Sequence, residues 1–148
     1  MDKLEAIFKM QAALNDRVFA KQNIKSLSGE ALTTEQLYQQ GLNNSPKGPN
    51  TDTNRWLRKF LEALQDESRE LSDELLMKWW SKDYLDMQNI RVEIIDQLHF
   101  WISLALASGL DADKVYDIYE QKNLVNIQRQ EKGYNMGSKT EADNQNIK

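Results

Sequence analysis

The sequence has no cysteine, one histidine, two prolines and six glycines among its 148 residues. The absence of cysteine excludes disulfides, thiolate metal sites and cysteine nucleophiles, and the single His99 cannot form a histidine metal cage within one chain. The scarcity of glycine and proline disfavours a turn-rich all-β fold. Because the net charge is -4, with no basic excess, we expect no nucleic-acid partner.

Long apolar runs are also missing. The most apolar stretch, residues 98–106, contains His99 and Ser103 and is shorter than the roughly 20 residues that a membrane helix needs. The first ten residues carry acids early and have no long apolar run, so they do not resemble a signal peptide. We therefore expect no membrane partner and a cytoplasmic location, in the host cell if a phage encodes the protein.

Helical periodicity runs through most of the chain and predicts an all-α fold, a bundle of four main helices. A shorter helix, capped by Thr33 or Thr34, ends near Gly41, and Gly109 stands where a helix C-terminus would place a glycine. We assign residues 1–132 to one domain and the polar residues 133–148 to a loose tail. The four main helices are predicted at residues 2–21, 53–80, 86–108 and from Asp111 or Asp113 to Glu131.

Several acids lie beside apolar helix faces instead of opposite them. Glu67, Glu70 and Glu74 flank the apolar stripe of the second main helix, which offers the pair Glu67 and Glu70. Glu93 and Asp96 share a face of the third. Two antiparallel helices that place such pairs opposite each other would form an all-oxygen site, which suits hard divalent cations such as Mg²⁺. The alternative is that the acids are ordinary solvated residues, because acids three apart are common on helices.

Three other groups of residues have both a functional and a structural interpretation. Lys and Arg separated by an amide on one helix face suit oxyanions, or the face is simply solvated. Amides within an apolar stripe either bond to backbone or read a ligand edge such as that of uracil. Aromatics near the acids either pack in the core or border a metal pocket. These groups are Lys122, Asn126 and Arg129; Gln11 and Asn15; and Trp79, Trp80 and Phe100.

Five segments together resemble the all-α dimeric dUTPases, within the wider group of MazG-like nucleotide pyrophosphohydrolases. They are QAALND at 11–16, ESRE at 67–70 followed by KWW at 78–80, EIIDQLHF at 93–100, KNLVNIQRQEKGY at 122–134, and the tail GYNMGSKTEADN at 133–144. The match extends over most of the chain except residues 24–51. The chain is shorter than typical members, which carry extra helices before the C-terminal motif.

The resemblance implies a role for each matching residue. Glu67, Glu70, Glu93 and Asp96 match the metal-binding acids; Gln11 and Asn15 lie in the segment that contacts the pyrimidine; Trp79 and Phe100 match aromatics around the base and deoxyribose; and Lys122, Asn126, Arg129, Lys139 and Asn144 lie in or beside phosphate-contacting segments. Asp96 would also contact the sugar hydroxyl. Residues 133–148 would then be a mobile tail that closes over phosphates, and the protein a homodimer or larger assembly.

The function that the resemblance implies is Mg²⁺-dependent hydrolysis of dUTP to dUMP and pyrophosphate. Two or three Mg²⁺ ions would bridge the carboxylates and the phosphate chain, with Glu67 or Glu70 orienting the attacking water or taking its proton. A MazG-like enzyme with another or broader base preference, such as dCTP, is the first alternative. A non-catalytic helical module, which binds a protein partner through the acidic groove, is the second.

Overall fold

The structure, a computed structural model, describes residues 2–43, 48–133 and 142–148. Within these residues the chain forms six helices and no strand beyond one isolated bridge between Lys25 and Ala31, which confirms the all-α prediction. None of these helices combines the length and apolar character that crossing a bilayer would require. The helices are α1 (Lys3–Lys21), α2 (Thr34–Leu42), α3 (Asp52–Glu74), α4 (Met87–Ala107), α5 (Ala112–Glu131) and α6 (Ala142–Gln145).

Side-chain oxygens cap the five long helices. Each caps its helix by accepting a hydrogen bond from a backbone N–H of the first turn, which satisfies a donor that has no intrahelical partner. At α2 the cap is reciprocal, because the Gln36 side chain also accepts from the Thr33 backbone. The caps are Asp2, Thr33, Thr51, Asp86 and Asp111.

The second main helix, α3, is shorter than its periodicity predicts. It ends at Glu74, where Leu75 adopts an extended backbone, and not at Trp80. No glycine or proline marks this end, so the sequence pattern alone continues past it. The side chains of Met77, Trp79 and Trp80 are exposed, and a helix there would have no buried face to stabilise it.

The chain divides into two compact units, Met1–Leu110 with α1 to α4 and Asp111–Lys148 with α5 and α6. The boundary at residue 132 that the sequence suggests, between the helical domain and the tail proposed to cover phosphates, stays a prediction. In the first unit α4 is central: it contacts α1, α2 and α3, most extensively α3. The core of this unit is apolar and is built around Phe19, Leu32, Leu37, Phe60 and Ala107.

A glycine pair brings α2 against the end of α4. A Cβ on Gly41 would lie 2.4 Å from the carbonyl carbon of Ser108, and one on Gly109 would lie 2.5 Å from the backbone nitrogen of Leu42. Gly109 also has φ +83°, the left-handed conformation expected after a helix C-terminus. No larger residue fits at either position without moving backbone. This contact sets the end of α4, the helix that carries two of the candidate site acids.

Candidate active site

Three carboxylates from two helices meet on one side of the first unit. Glu67 comes from α3, and Glu93 and Asp96 come from α4; each offers an oxygen, and these oxygens lie within 4.8 Å of one another. All three residues are half-buried. The close packing of α3 on α4 therefore assembles the acid cluster that the two sequence pairs predicted, with one member from the first pair and both from the second.

The acid cluster is electrostatically strained. The pKa of Glu67 is raised to about 7, chiefly because burial removes water from its carboxyl group; a hydrogen bond with Glu70 and the nearby negative charges act in the same direction. Burial, followed by the charges of Glu70, Asp96 and Glu74, also raises the pKa of Glu93. Oε2 of Glu93 is buried and has no hydrogen-bond partner within the described residues. Such an arrangement is stabilised by a cation or by protons.

The donor set fits a hard divalent cation. Every ligand atom it offers is a carboxylate oxygen, the type that Mg²⁺ and Ca²⁺ prefer, and histidine and cysteine ligands are absent from the cluster. The orphaned Oε2 of Glu93 would gain a partner if a cation bound. Glu67, Glu93 and Asp96 are therefore the residues that could hold a metal ion.

Glu70 and Glu74 lie at the edge of this acid cluster. Glu70 is exposed, but its carboxyl group is hydrogen-bonded to that of Glu67. Glu74 is half-buried and close enough to raise the pKa of Glu93. Glu70 thus contacts a candidate ligand without belonging to the group of three. Periodicity places Glu74 beside the apolar stripe with Glu67 and Glu70, but the predicted metal-binding acids did not include it.

A cavity of about 560 Å³ adjoins the cluster. It is formed by α1, α3, α4 and the residues that follow α1. Glu67 and Asp96 lie at its wall, and aromatic rings supply much of the remaining lining. Trp56 contacts Phe19 edge-to-face at a centroid distance of 4.9 Å and Phe60 at 5.6 Å. The cavity therefore combines flat apolar surfaces with carboxylates, a combination that suits a base joined to a charged group.

Two amides face the same cavity. Gln11 is buried, with 6% of its surface exposed, and Asn15 is half-buried one turn later on α1. Gln11 Nε2 donates to Asn15 Oδ1 at 2.8 Å, and Asn15 Nδ2 donates to Ser103 Oγ at 3.0 Å. Both residues line the cavity. The structure thus brings the predicted amide pair to the predicted acids, bonded to side chains and not to backbone.

The two aromatic residues predicted to surround the base and the deoxyribose, Phe100 and Trp79, lie in different places. Phe100 lines the cavity, as expected. Trp79 does not: it lies in the non-helical segment after α3, is 90% exposed, and contacts Trp80 edge-to-face at 5.5 Å. The indole that lines the cavity is that of Trp56 on α3, which the sequence prediction did not include among the site residues.

The predicted phosphate contacts belong to the second unit. Lys122 Nζ donates to Asn144 Oδ1 at 2.5 Å, and the Arg129 guanidinium forms an ion pair with Asp143 at 2.6 Å. These contacts join α5 to the C-terminal residues beside a cavity of about 410 Å³. Asn126 is exposed on α5. Lys139 lies outside the described residues.

Sequence reasoning missed two polar members of the site, both on α4. His99 Nδ1 is 2.5 Å from Gln11 Oε1, and Ser103 is almost fully buried behind Asn15. His99 follows Asp96 by three residues and Ser103 follows His99 by four, so both lie on the face that carries the acids. That spacing could have identified both residues, but only the structure shows that the helix facing them is α1.

Fold and site define an all-α protein with a carboxylate cluster beside an aromatic-walled cavity. The chain belongs to the dUTPase family, whose sequence profile matches residues 3–114. It is 32% identical to a protein named dCTP pyrophosphatase from Enterobacteria phage LZ5, over 53% of this chain and 60% of that one. It is 26% identical to a dCTP pyrophosphatase from Enterobacteria phage T4, over 56% and 63%. The chain thus spans about three fifths of these curated relatives, and no solved structure matches it significantly.

Proposed function

We propose that the protein is a nucleoside triphosphate pyrophosphohydrolase that releases a pyrimidine deoxynucleoside monophosphate and pyrophosphate. The observation that carries this proposal is the contact between the acid cluster and the aromatic, amide-lined cavity. Two phage relatives are named dCTP pyrophosphatase, so dCTP is the first substrate candidate. The family description, dUTPase, makes dUTP the second.

The carboxylates would act at the phosphate end of the substrate. Glu67, Glu93 and Asp96 would hold Mg²⁺, with Glu70 hydrogen-bonded beside them. A cation held there supplies positive charge against the phosphate oxygens and acidifies water. Glu67, with a pKa raised to about 7 before any cation binds, or the more exposed Glu70, would orient the attacking water or accept its proton.

The cavity would hold the nucleoside. Phe19, Trp56, Phe60 and Phe100 provide flat apolar surfaces for a pyrimidine and its deoxyribose. Gln11 and Asn15 would read the hydrogen-bonding edge of the base, because each amide keeps one N–H and one oxygen lone pair free of the contacts described above. Asp96, which like Glu67 belongs to both the cavity wall and the acid cluster, would contact the sugar hydroxyl.

The cations of the second unit would bind the phosphate chain. Arg129 and Lys122 supply a guanidinium fork and an ammonium, and Lys139 and Asn144 belong to the tail that we propose closes over the substrate. Asn126 would contribute a neutral amide. Asp143 and Asn144 engage Arg129 and Lys122 in the structure, so phosphate oxygens would replace these partners.

A second copy of the chain is the proposed protein partner. An apolar groove of about 260 Å³ lies between α1 and α4, and Met10, Leu14 and Ile95 at its rim are exposed. Exposed apolar surface of this kind is typical of subunit contacts. Sedimentation equilibrium of wild type and Ile95→Lys tests the assembly, with a dimer or larger species expected only for wild type.

A substrate panel tests the catalytic proposal. The protein is incubated separately with each deoxynucleoside triphosphate and Mg²⁺, with and without EDTA, and the products are identified by chromatography. Pyrophosphate and monophosphate from dCTP or dUTP, and neither in EDTA, is the expected result. The ratio of the two rates decides the base preference. If no triphosphate is hydrolysed, the catalytic proposal is rejected and a helical interaction module is favoured.

A further inference from the structure

We propose that Ser103 and His99 fix the orientation of the two amides that face the cavity, and thereby determine which pyrimidine it accepts. This inference rests on the proposed function and concerns the same site. Ser103 does not line the cavity and is only 1% exposed, so it would act as a positioning residue through Asn15. His99 lines the cavity and holds Gln11 at the other end of the pair.

The four side chains form one directed series of hydrogen bonds. The Ser103 hydroxyl donates to the His99 carbonyl oxygen, one turn earlier on α4, at 2.9 Å. Its oxygen is therefore free to accept, and Asn15 Nδ2 donates to it at 3.0 Å. This turns Asn15 Oδ1 towards Gln11 Nε2, which donates at 2.8 Å. Gln11 Oε1 is then left facing His99 Nδ1.

The direction of the series has a chemical consequence for the histidine. A carbonyl oxygen cannot donate, so Nδ1 of His99 must carry the proton in its contact with Gln11. Reversing the amides would require four changes together: rotation of the Ser103 hydroxyl, a flip of each amide, and transfer of the His99 proton to Nε2. The helix carbonyl at one end and the imidazole N–H at the other thus support a single orientation.

Amide orientation matters because the two pyrimidines differ in donors and acceptors. Uracil presents an N–H between two carbonyl oxygens, whereas cytosine presents an acceptor nitrogen beside an amino group. An amide held in one orientation matches one of these edges and opposes the other, since a mismatch places donor against donor or acceptor against acceptor. An amide free to flip would accommodate both.

The first test measures selectivity in a matched pair of serine variants. Ser103→Ala removes the hydroxyl that orients Asn15, and Ser108→Ala removes a hydroxyl that also bonds back to its own helix, to the Ala105 carbonyl, but touches neither amide. For Ser103→Ala we expect the ratio of kcat/KM between dCTP and dUTP to move towards unity by about fivefold or more, the effect of one neutral hydrogen bond. Ser108→Ala should retain the wild-type ratio.

The second test uses the histidine and does not require Ser103 variants to fold. His99→Leu removes the Nδ1 donor, whereas His99→Asn places an amide N–H near the same position. We expect the leucine variant to lose selectivity and the asparagine variant to recover most of it. An unchanged ratio in both Ser103→Ala and His99→Leu would overturn the proposal.

The third measurement is independent of turnover. The sequence contains one histidine, so uniform ¹⁵N-histidine labelling of untagged protein reports His99 alone. We expect the ¹⁵N spectrum to show a protonated Nδ1, and the Nε2–H tautomer would overturn the inference. If wild type hydrolyses no triphosphate while Nδ1 is protonated, the proposed function fails and the hydrogen-bond series stands.

Discussion

The acid cluster of the first unit and the basic residues of the second differ in how their charge is balanced. Glu67, Glu93 and Asp96 crowd one another, and within the described residues none forms an ion pair. Arg129, by contrast, forms an ion pair with Asp143, and its side chain is only 12% exposed. Burial and neighbouring carboxylates raise the pKa values of Glu67 and Glu93, whereas the Arg129 guanidinium already has a protein partner.

This difference indicates what each region requires from a ligand. A site that is strained when empty gains stability from a bound cation, so its geometry reveals the ligand class. A site whose charges are already paired says less about its ligand, because the ligand must first displace Asp143 and Asn144. The metal-binding proposal therefore follows from the structure more directly than the phosphate-binding proposal does.

The largest expected effect follows removal of one candidate metal ligand. Asp96→Asn keeps the shape of the side chain but removes its charge, and kcat should fall by about 100-fold or more, since changing only a ligand's hydrogen-bond partner costs roughly 10- to 100-fold. Without metal the variant should melt at or above the wild-type temperature, because repulsion is relieved. Turnover and melting are measured together. Asp66→Asn, exposed beside Arg69, is the control and should behave as wild type.

A smaller effect is expected from the basic residues. Arg129→Ala removes the proposed guanidinium fork, and KM for the triphosphate should rise by roughly 10- to 100-fold, the range for one charge-assisted hydrogen bond. Steady-state kinetics checks this value. Lys114→Ala, an exposed change near the start of the same helix, provides the control. Equal KM values for Arg129→Ala and wild type would show that Arg129 does not bind the phosphate chain.

Deleting the residues after Gly137 should have a further, milder effect. The deletion removes Asp143 and Asn144 together with Lys139, so it removes both the present partners of α5 and the proposed phosphate contacts. We expect the first unit to stay folded and KM to rise by about tenfold. Amide hydrogen exchange across residues 142–148 should slow with a non-hydrolysable dCTP analogue and Mg²⁺. If the truncated protein has wild-type kinetics, the proposal that the tail closes over the substrate is wrong.

The smallest effect is a pH dependence of stability in the absence of metal. Because the pKa of Glu67 is raised from 4.5 to about 7, the folded state binds the proton more tightly than the unfolded state. The resulting stability is complete below pH 4.5 and is lost as pH rises through 7. Each kcal/mol lost lowers the melting temperature by about 2–4 °C in a chain of this size.

Glu67→Gln serves as the reference for this pH dependence. Its melting temperature relative to wild type should increase from pH 5 to pH 8 without metal, and the increase should shrink when Mg²⁺ is added to the wild type. Melting curves across this range test both statements. A constant difference at all pH values would show that Glu67 does not titrate in the folded protein.

Much of the local structure could be predicted from the sequence. Thr33 caps α2, Asp111 was one of two predicted caps of α5, and Gly109 follows α4 as expected. The faces that carry Glu67, Glu93 and Asp96 were also predictable, because positions three and four apart share a side of any helix. The predicted end of α3, at Trp80, was wrong. The residues after Glu74 contain no helix breaker, and the helix ends there because the side chains that follow are exposed and have no core to pack against.

The sequence by itself determined the all-α fold and placed the acids on particular helix faces, since caps and periodicity act within a few residues. Only the tertiary structure decided which faces meet. Trp56, not Trp79, lines the cavity, and Gln11 and Asn15 each bond to a residue 88 positions away. These contacts depend on how α1, α3 and α4 pack, and that packing is a property of the whole first unit, which no short segment encodes.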